Sequence, residues 1–89
     1  MKAIITVVGK DRVGIIAAVS TQLAEVSVNI LDISQTIMQD NFTMMMSVDL
    51  ANSSVSLKEL KARLNGIGER LGLVISIYNE ELFNSMHRV

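Results

Sequence analysis

The chain has 89 residues, of which 49% are hydrophobic, with 9 acidic and 8 basic side chains, one His and no Cys. This length predicts a single domain over 1–89, and a chain so short buries only about 60–65% of its unfolded surface, so we expect a second subunit to add burial. A net charge of −1 gives no overall attraction to nucleic acid or to an anionic membrane. The absence of Cys excludes disulfides and thiolate metal sites, and one His cannot build a multi-histidine site.

The amino-terminal residues have neither the cleavage site of a signal peptide nor the length of a membrane span. An apolar run over 2–8 is followed by Lys10, Asp11 and Arg12, and no apolar run approaches the ~20 residues that a membrane helix needs. We therefore expect a soluble, cytoplasmic protein that contacts neither membrane nor nucleic acid.

The first two predicted elements are a strand and a helix. Residues 2–8 are β-branched and apolar and end at Gly9, which predicts a central strand. Asp11 then provides an N-cap for a helix over roughly 12–26. Apolar side chains recur there every three or four residues, at Ile15, Ile16, Val19, Leu23 and Val26.

Alternation of apolar and polar residues next predicts a β-hairpin. Its strands cover 29–39 and 42–50, with a turn at Asp40 and Asn41. The apolar faces of the two strands contain Leu31, Ile33 and Ile37, and Phe42, Met44, Met46, Val48 and Leu50. Two of the three consecutive methionines thus face the core, which indicates core filling rather than a contact surface.

A second helix is predicted by its cap and its period. Ser56 and Glu59 have the spacing of a capping box, and Gly72 ends the helical pattern. Apolar side chains keep the period between them, at Leu57, Leu60, Leu64, Ile67 and Leu71.

The last predicted strand covers 73–78, and the segment 79–89 is a tail or a short terminal helix. Leu82, Phe83 and Met86 are the apolar residues of that segment. His87 has no Asp, Cys or second His close in sequence, which indicates a surface residue.

The element order β-α-β-β-α-β is that of an α+β ferredoxin-like sandwich. Right-handed crossovers place both helices on one face of a four-stranded antiparallel sheet in the order 4-1-3-2. The strand at 29–38 has no Pro or Lys to block its edge, so we expect a second copy to pair with it. The open face of the sheet is predicted to be mostly hydroxyl or acidic, with Thr6, Asp32, Ser34, Thr36, Thr43, Ser47, Asp49 and Ser76.

The segment from Gly9 to Ile15 joins the first strand to the first helix. Such a turn presents free backbone N–H groups and the positive end of a helix dipole to a carboxylate or phosphate. A purely structural interpretation is also open, in which Gly9 makes the turn, Asp11 caps the helix and Gly14 lets the helix approach the strand. In that interpretation Lys10 and Arg12 are simply solvated.

Taken with the next strand, these residues resemble a known family. Gly9-x-Asp11-x-x-Gly14-Ile15, followed by Val28-Asn29-Ile30-Leu31-Asp32-Ile33-Ser34, is similar to the ACT domain, a small-molecule-sensing module of amino-acid metabolism. The resemblance covers nearly the whole chain. It extends to stand-alone ACT proteins and to the amino-terminal ACT domains of the glycine cleavage system transcriptional repressor and of formyltetrahydrofolate deformylase.

The resemblance implies side-by-side homodimers that bind an amino acid or similar metabolite between the subunits. The implied ligand residues are Gly9, Lys10, Asp11, Val13 and Gly14 of one chain, with Asn29 and Ile30 of its partner. A carboxylate at Asp11 suits the ligand's ammonium, and backbone amides near the helix start suit its carboxylate. The resemblance implies no catalytic residue, metal or cofactor, and the bound state is read by a partner enzyme or regulator.

One segment departs from the family pattern. Family members commonly have Gly shortly before Asn-Ile, where the helix ends, whereas this chain has Val26, Ser27 and Val28. Ser closes a helix less readily than Gly, so this departure bears on how Asn29 is presented.

Three other functions are open to this sequence. Acylphosphatases use an Arg in the first turn and an Asn on the second strand, which Arg12 and Asn29 resemble, but their glycine-valine-glutamine turn is absent here. RNA-recognition motifs stack bases on aromatic side chains of the open face, and this chain has only Phe42, Tyr78 and Phe83. The third is a ligand-free dimer that binds another protein.

Overall fold

The computed structural model describes residues 1–86. Its elements in chain order are β1 (Lys2–Lys10), α1 (Ile15–Glu25), β2 (Asn29–Met38), β3 (Asn41–Asp49), α2 (Leu57–Leu71), β4 (Leu73–Asn79) and α3 (Glu80–Met86). The predicted βαββαβ order is confirmed, with α3 added after β4. The expectation for His87 falls on residues 87–89, outside the described part of the chain. None of the helices over 1–86 is long and apolar enough to cross a membrane.

The four strands form one antiparallel sheet in the predicted order, β2-β3-β1-β4. β1 is central because its residues pair on both sides, as where Ile5 lies opposite Met46 of β3 and Ile77 of β4. Opposite residues of antiparallel strands share a face, so this register places alternate residues of every strand toward the helices. β2 and β4 are the two edges.

The apolar core lies between the sheet and the first two helices. Most of the inward residues predicted for β1, β3 and α2 are buried, among them Ile5, Val7, Phe42, Met44, Met46, Val48, Leu60, Leu64 and Ile67. Four residues predicted for the core in these elements and in α1 are not buried. Ile16 and Leu57 are each 39% exposed, and Leu50 and Leu71 are half-buried.

Both ends of α2 are formed by the residues expected to form them. The Ser56 hydroxyl accepts a hydrogen bond from the Glu59 amide at 3.1 Å, and Gly72 ends the helix with a left-handed φ of 71°. The last turn also packs tightly, because a Cβ on Gly68 would lie 2.6 Å from the carbonyl oxygen of Leu73. The first residue of β4 therefore passes directly beneath this turn.

The end of α1 is a Schellman motif closed by serine instead of glycine. The Ser27 amide donates to the Ala24 carbonyl at 3.1 Å, and the Val28 amide donates to the Leu23 carbonyl at 2.9 Å. Ser27 has a φ of 60°, which is the left-handed conformation that glycine adopts most readily. The chain thus keeps the expected helix exit at Asn29, with strain confined to Ser27.

The edge strand β2 is the most exposed element of the sheet. Ile33 and Ile37 face the helix side but are 44% and 52% exposed, because no strand or helix covers that edge within residues 1–86. The placement of Leu31 on their face was wrong, since Leu31 occupies a β-bulge between Ile30 and Asp32. The bulge moves the inward position to Ile30, which lies opposite buried Val48.

The open face of the sheet is less polar than predicted. The hydroxyl and acidic residues do lie on it, as does Met45, the methionine predicted not to face the core, but the register adds Ile4, Val8, Val74 and Tyr78. These four residues were not predicted because β1 and β4 are largely apolar on both faces, so their composition does not mark the outward positions. α3 packs on this face against β1 and β4, and the Tyr78 and Phe83 ring centroids lie 5.9 Å apart.

Candidate functional site

The turn between β1 and α1 is fixed to the β2–β3 turn by the backbone. The Asp11 amide donates to the Asp40 carbonyl at 2.7 Å. Gln39, just before Asp40, has a left-handed φ of 58°, so the hairpin turn lies one residue earlier than predicted, at Gln39 and Asp40. The position of Asp11 is thus set by the neighbouring hairpin rather than by a helix.

The amino terminus of α1 presents unused backbone donors. Gly14 is the N-cap with a φ of 93°, and the first hydrogen bond into the helix runs from the Ala18 amide to the Gly14 carbonyl at 2.9 Å. The amides of residues 15–17 precede that bond, and α1 has no acidic residue in its first turn. These amides and the positive end of the helix dipole favour an anion.

The predicted cap at Asp11 and the predicted start of α1 at residue 12 were wrong. The helix begins at Ile15, and its N-cap position is occupied by Gly14, which makes no side-chain bond. The left-handed conformation of Gly14 turns the chain into the helix without help from a side chain. The Asp11 carboxylate is consequently exposed, and it has no hydrogen bond or ion pair among residues 1–86.

A cavity of about 230 Å³ lies beside this end of α1, and we call it the turn cavity. It opens between the helix and the carboxyl-terminal half of β2, so it combines exposed polar groups with an apolar wall that includes buried Phe42. Its lining residues are Asp11, Arg12, Gly14, Ile15, Ile16, Ala17, Gln35, Ile37 and Phe42.

The sequence pointed to two residues of the turn cavity and missed others. Asp11 and Gly14 were named from the motif, whereas Gln35 and Ile37 were not. The missing signal is the alternation of β2, which puts Gln35 and Ile37 on the helix-facing side next to the turn. Arg12 was predicted to bind a ligand only in the acylphosphatase alternative.

The other predicted residues of the turn have different environments. Gly9 belongs to β1 rather than to the turn, and a Cβ there would lie 2.6 Å from Leu73 Cδ2. Gly14 was expected to allow a close approach, but nothing lies within 4 Å of its missing Cβ, so its role is conformational. Val13 is 98% exposed, and Lys10 is exposed at the end of β1.

Asn29 and Ile30 lie at the other end of β2. Asn29 is opposite Asp49, whereas Met38 is opposite Asn41, the neighbour of Lys10. Asn29 and Met38 are nine residue steps apart along the strand, which is roughly 30 Å at about 3.3 Å per residue. One protomer therefore does not bring Asn29 together with the turn cavity.

This separation also bears on the rival functions. The Arg12 guanidinium donates through Nη1 to the Leu71 carbonyl at 3.4 Å. Asn29 lies at the opposite end of the sheet, so the Arg–Asn pair expected in an acylphosphatase does not form within a protomer. Phe42 is buried beneath the helices, which leaves Tyr78 as the aromatic residue of the open strand surface over 1–86. Within the same residues no three potential metal ligands cluster.

Comparisons with known proteins agree on one family. A family profile described as the ACT domain matches residues 2–78. A UPF0237 protein of Clostridium acetobutylicum is 61% identical over 89 residues, which is 100% of both chains. An ACT domain protein from Streptococcus pneumoniae has a TM-score of 0.80 at 43% identity, covering 93% of each chain. A formyltetrahydrofolate deformylase of Pseudomonas putida shares the fold, with a TM-score of 0.80 at 14% identity, over 89% of this chain and 29% of that one.

Proposed function

Since the chain belongs to the ACT domain family, we propose that it is a regulatory module that senses an amino acid or similar small zwitterion between the two subunits of a homodimer. ACT domains are regulatory, ligand-binding modules. The observation that supports the proposal most directly is the turn cavity, where unused amides of α1 lie next to the unpartnered carboxylate of Asp11.

The proposed dimer joins the two β2 edges. An uncovered ten-residue edge strand presents a row of backbone donors and acceptors, and the exposed side chains of Ile33 and Ile37 add apolar surface beside it. In an antiparallel pair with a twofold axis near the middle of β2, residues 29–30 of the partner meet residues 37–38 of the first subunit. This pairing brings Asn29 and Ile30 of the partner subunit to the mouth of the turn cavity.

The chemistry of the turn cavity suits a zwitterion. The ligand carboxylate accepts hydrogen bonds from the amides of residues 15–17 at the positive end of α1, and the ligand ammonium pairs with Asp11. Ile37 and Phe42 provide apolar contact for a side chain, and a volume of about 230 Å³ favours a small one. The amide of Gln35 supplies a further donor and acceptor on the wall.

The proposed module acts by binding and not by catalysis. A ligand that bridges both subunits stabilises one arrangement of the dimer over another, and only this difference in affinity transmits a signal. The signal passes to a partner enzyme or regulator in the cytoplasm.

A second candidate is a dimer that binds a protein partner without a small ligand. Val8, Met45 and Val74 support it, because they are 48%, 43% and 69% exposed on the open face of the sheet. Contiguous exposed apolar side chains are one of the marks of a protein-contact surface.

A thermal-shift screen against the twenty amino acids separates the two candidates. A ligand at 100 times its Kd adds about 2.7 kcal/mol of stability, which is several degrees for a domain of this size. The proposal predicts a shift that disappears in both Asp11→Ala and Asn29→Ala, while the exposed control variants Glu69→Ala and Asn52→Ala keep it. The absence of a shift with every amino acid contradicts the sensing proposal and favours the ligand-free dimer.

A further inference from the structure

Gln35 interrupts the apolar side of β2. The helix-facing positions of this strand are Ile30, Ile33, Gln35 and Ile37, because these residues lie opposite the inward side chains of β3. Gln35 itself lies opposite Met44, which is 1% exposed. A strand that packs one face on a core normally keeps that face apolar, so a glutamine at this position breaks the pattern.

Solvent exposure does not account for the break. Ile33 and Ile37, on either side of Gln35, are 44% and 52% exposed and are nevertheless apolar. The edge position of β2 thus accommodates isoleucine on this face and does not require a polar residue at position 35. Departures from an otherwise consistent pattern are expected mainly at functional or strained sites.

The side-chain amide of Gln35 is not used by the fold. Over residues 1–86, Asn79 is the other polar side chain at a helix-facing position of the sheet, and its Oδ1 accepts a hydrogen bond from the Glu81 amide at 2.8 Å. The Gln35 side chain has no hydrogen bond among the same residues. Its donors and its acceptor are therefore available to a ligand.

Gln35 lies on the wall of the turn cavity that an amino acid side chain would meet. The cavity is lined by Asp11 and the start of α1 on one side, and by Gln35, Ile37 and Phe42 on the sheet side. In the proposed function, the ligand ammonium pairs with Asp11 and the ligand carboxylate accepts from the amides of residues 15–17. A ligand held in this way directs its side chain toward the sheet, where the Gln35 amide offers one acceptor oxygen and two N–H donors.

We propose that Gln35 determines the specificity of the turn cavity, so that the cavity takes a small amino acid whose side chain carries an uncharged hydrogen-bonding group, a hydroxyl or an amide. The role of Gln35 rests on the proposed function and names the class of ligand for that site. The Gln35 amide exchanges hydrogen bonds with the polar group, while Ile37 and Phe42 contact the carbon atoms of the ligand side chain. The volume of about 230 Å³ limits the class to small members such as serine, threonine and asparagine.

The proposed pairing of two β2 edges strengthens this selectivity. A partner strand covers the edge beside Gln35 and displaces solvent from it. A polar group that loses water needs another hydrogen-bond partner, so an aliphatic ligand leaves the Gln35 amide unsatisfied. A site that hydrogen-bonds a ligand group rejects the analogue lacking that group far more strongly than an apolar site rejects an added hydroxyl.

Calorimetric titration with matched pairs of amino acids tests the specificity. The pairs are serine with alanine, threonine with valine, and asparagine with leucine, and in each pair the first member carries the polar group. In each pair that binds, we expect the polar member to bind at least about tenfold more tightly than the aliphatic member. A pair in which the aliphatic member binds equally well or better contradicts the role of Gln35.

Substitutions assign the preference to one side chain. Gln35→Leu keeps the approximate shape of the side chain and is expected to reduce the ratio of the two affinities at least about tenfold. Thr36→Val removes a polar group from the opposite face of the same strand and should leave the ratio unchanged. A merely structural effect of Gln35→Leu would weaken both members of a pair equally, so the ratio separates recognition from stability. A ratio that survives Gln35→Leu contradicts the proposal.

Asp11→Ala separates the role of Gln35 from the proposed function. It should weaken both members of a pair by the same factor, because it acts on the ammonium group that they share. Binding of aliphatic, charged or aromatic amino acids that Asp11→Ala weakens supports the sensing proposal and contradicts the role of Gln35 alone. Binding of none of the twenty amino acids, or binding that Asp11→Ala does not change, contradicts both.

Discussion

The backbone amide of Asp11 donates to the carbonyl of Asp40 at 2.7 Å, across 29 positions of sequence. This bond joins the β1–α1 turn to the β2–β3 turn and does not involve the Asp11 side chain. Substituting that side chain should therefore change the chemistry of the turn cavity without moving the backbone of the turn.

Asp11→Ala is predicted to leave the free energy of unfolding unchanged. The carboxylate is exposed and has no partner within 1–86, and Gly14 rather than Asp11 is the N-cap of α1. An N-cap side chain typically contributes about 1 kcal/mol to the free energy of unfolding. Ser56→Ala, which removes the cap of α2, is the matched control and should lower the free energy of unfolding by about 1 kcal/mol. Urea unfolding of both variants measures the difference. A loss at Asp11 equal to that at Ser56 would show that Asp11 caps α1 in solution.

Ser27→Gly is predicted to stabilise the protein. Ser27 has a φ of 60° at the end of the Schellman motif, and this left-handed conformation costs a residue with a Cβ about 1 kcal/mol. Glycine avoids that steric cost, but its greater conformational entropy in the unfolded chain offsets part of the gain. We expect a net gain of about 0.5 kcal/mol, or roughly 2–4 °C in Tm. Ser20→Gly, inside α1, should instead destabilise, because the glycine there adds entropy cost without relieving strain. A lower Tm for Ser27→Gly would contradict the assigned helix end.

The fold was predictable because its elements have strong local signals. α2 has a capping serine, a regular apolar period and a terminal glycine, and its bounds were predicted to the residue. The start of α1 was not predictable, since the sequence shows that Asp11 is able to cap but does not show that Gly14 takes a left-handed conformation. The bulge at Leu31 was missed for a similar reason, because one extra residue shifts the alternation without any change of composition.

The turn cavity was predictable only in part. The motif from Gly9 to Gly14 identifies the turn, but the wall formed by Gln35 and Ile37 depends on how β2 is registered against β3. The position of Asn29 relative to the ligand could not be predicted from one chain. Asn29 lies far from the turn within one protomer, so its place in a ligand site depends on a second chain.

Three glycines should respond differently to alanine. Gly14→Ala keeps ample space but forces a φ of 93°, for which we expect a loss of about 1 kcal/mol. Gly68→Ala places a methyl group 2.6 Å from the Leu73 carbonyl oxygen, and the required shift of the β4 start should cost about 2 kcal/mol or more. Gly66→Ala, on the open side of α2, should gain up to about 1 kcal/mol. Thermal unfolding ranks the three variants by Tm. A higher Tm for Gly14→Ala would contradict the left-handed conformation of the N-cap.

Gln22→Leu is predicted to stabilise the ligand-free protein. The substitution removes a buried amide nitrogen that has no partner among residues 1–86, and an unsatisfied buried donor costs about 1–3 kcal/mol. Leucine also adds apolar contact beside Ile67. We expect a gain of about 1 kcal/mol in urea unfolding without added amino acids. A destabilised variant would indicate that the Gln22 side-chain amide makes a hydrogen bond in solution.

Ile33→Lys is predicted to separate the proposed dimer into folded monomers. Ile33 is 44% exposed near the middle of β2, so a lysine at this position keeps its charge in solvent in the monomer. In a β2–β2 pair, the two lysines would lie close together across the twofold axis and repel each other. Val74→Lys is the matched control, because Val74 is 69% exposed on the other edge strand. Sedimentation equilibrium should show a monomer for Ile33→Lys and a dimer for Val74→Lys and for the unmodified protein, with helical content unchanged in all three. The monomer should also lose any thermal shift that depends on Asn29 of the partner subunit. If Val74→Lys dissociates the protein and Ile33→Lys does not, the subunits pair through β4, which contradicts the proposed ligand site between two β2 strands.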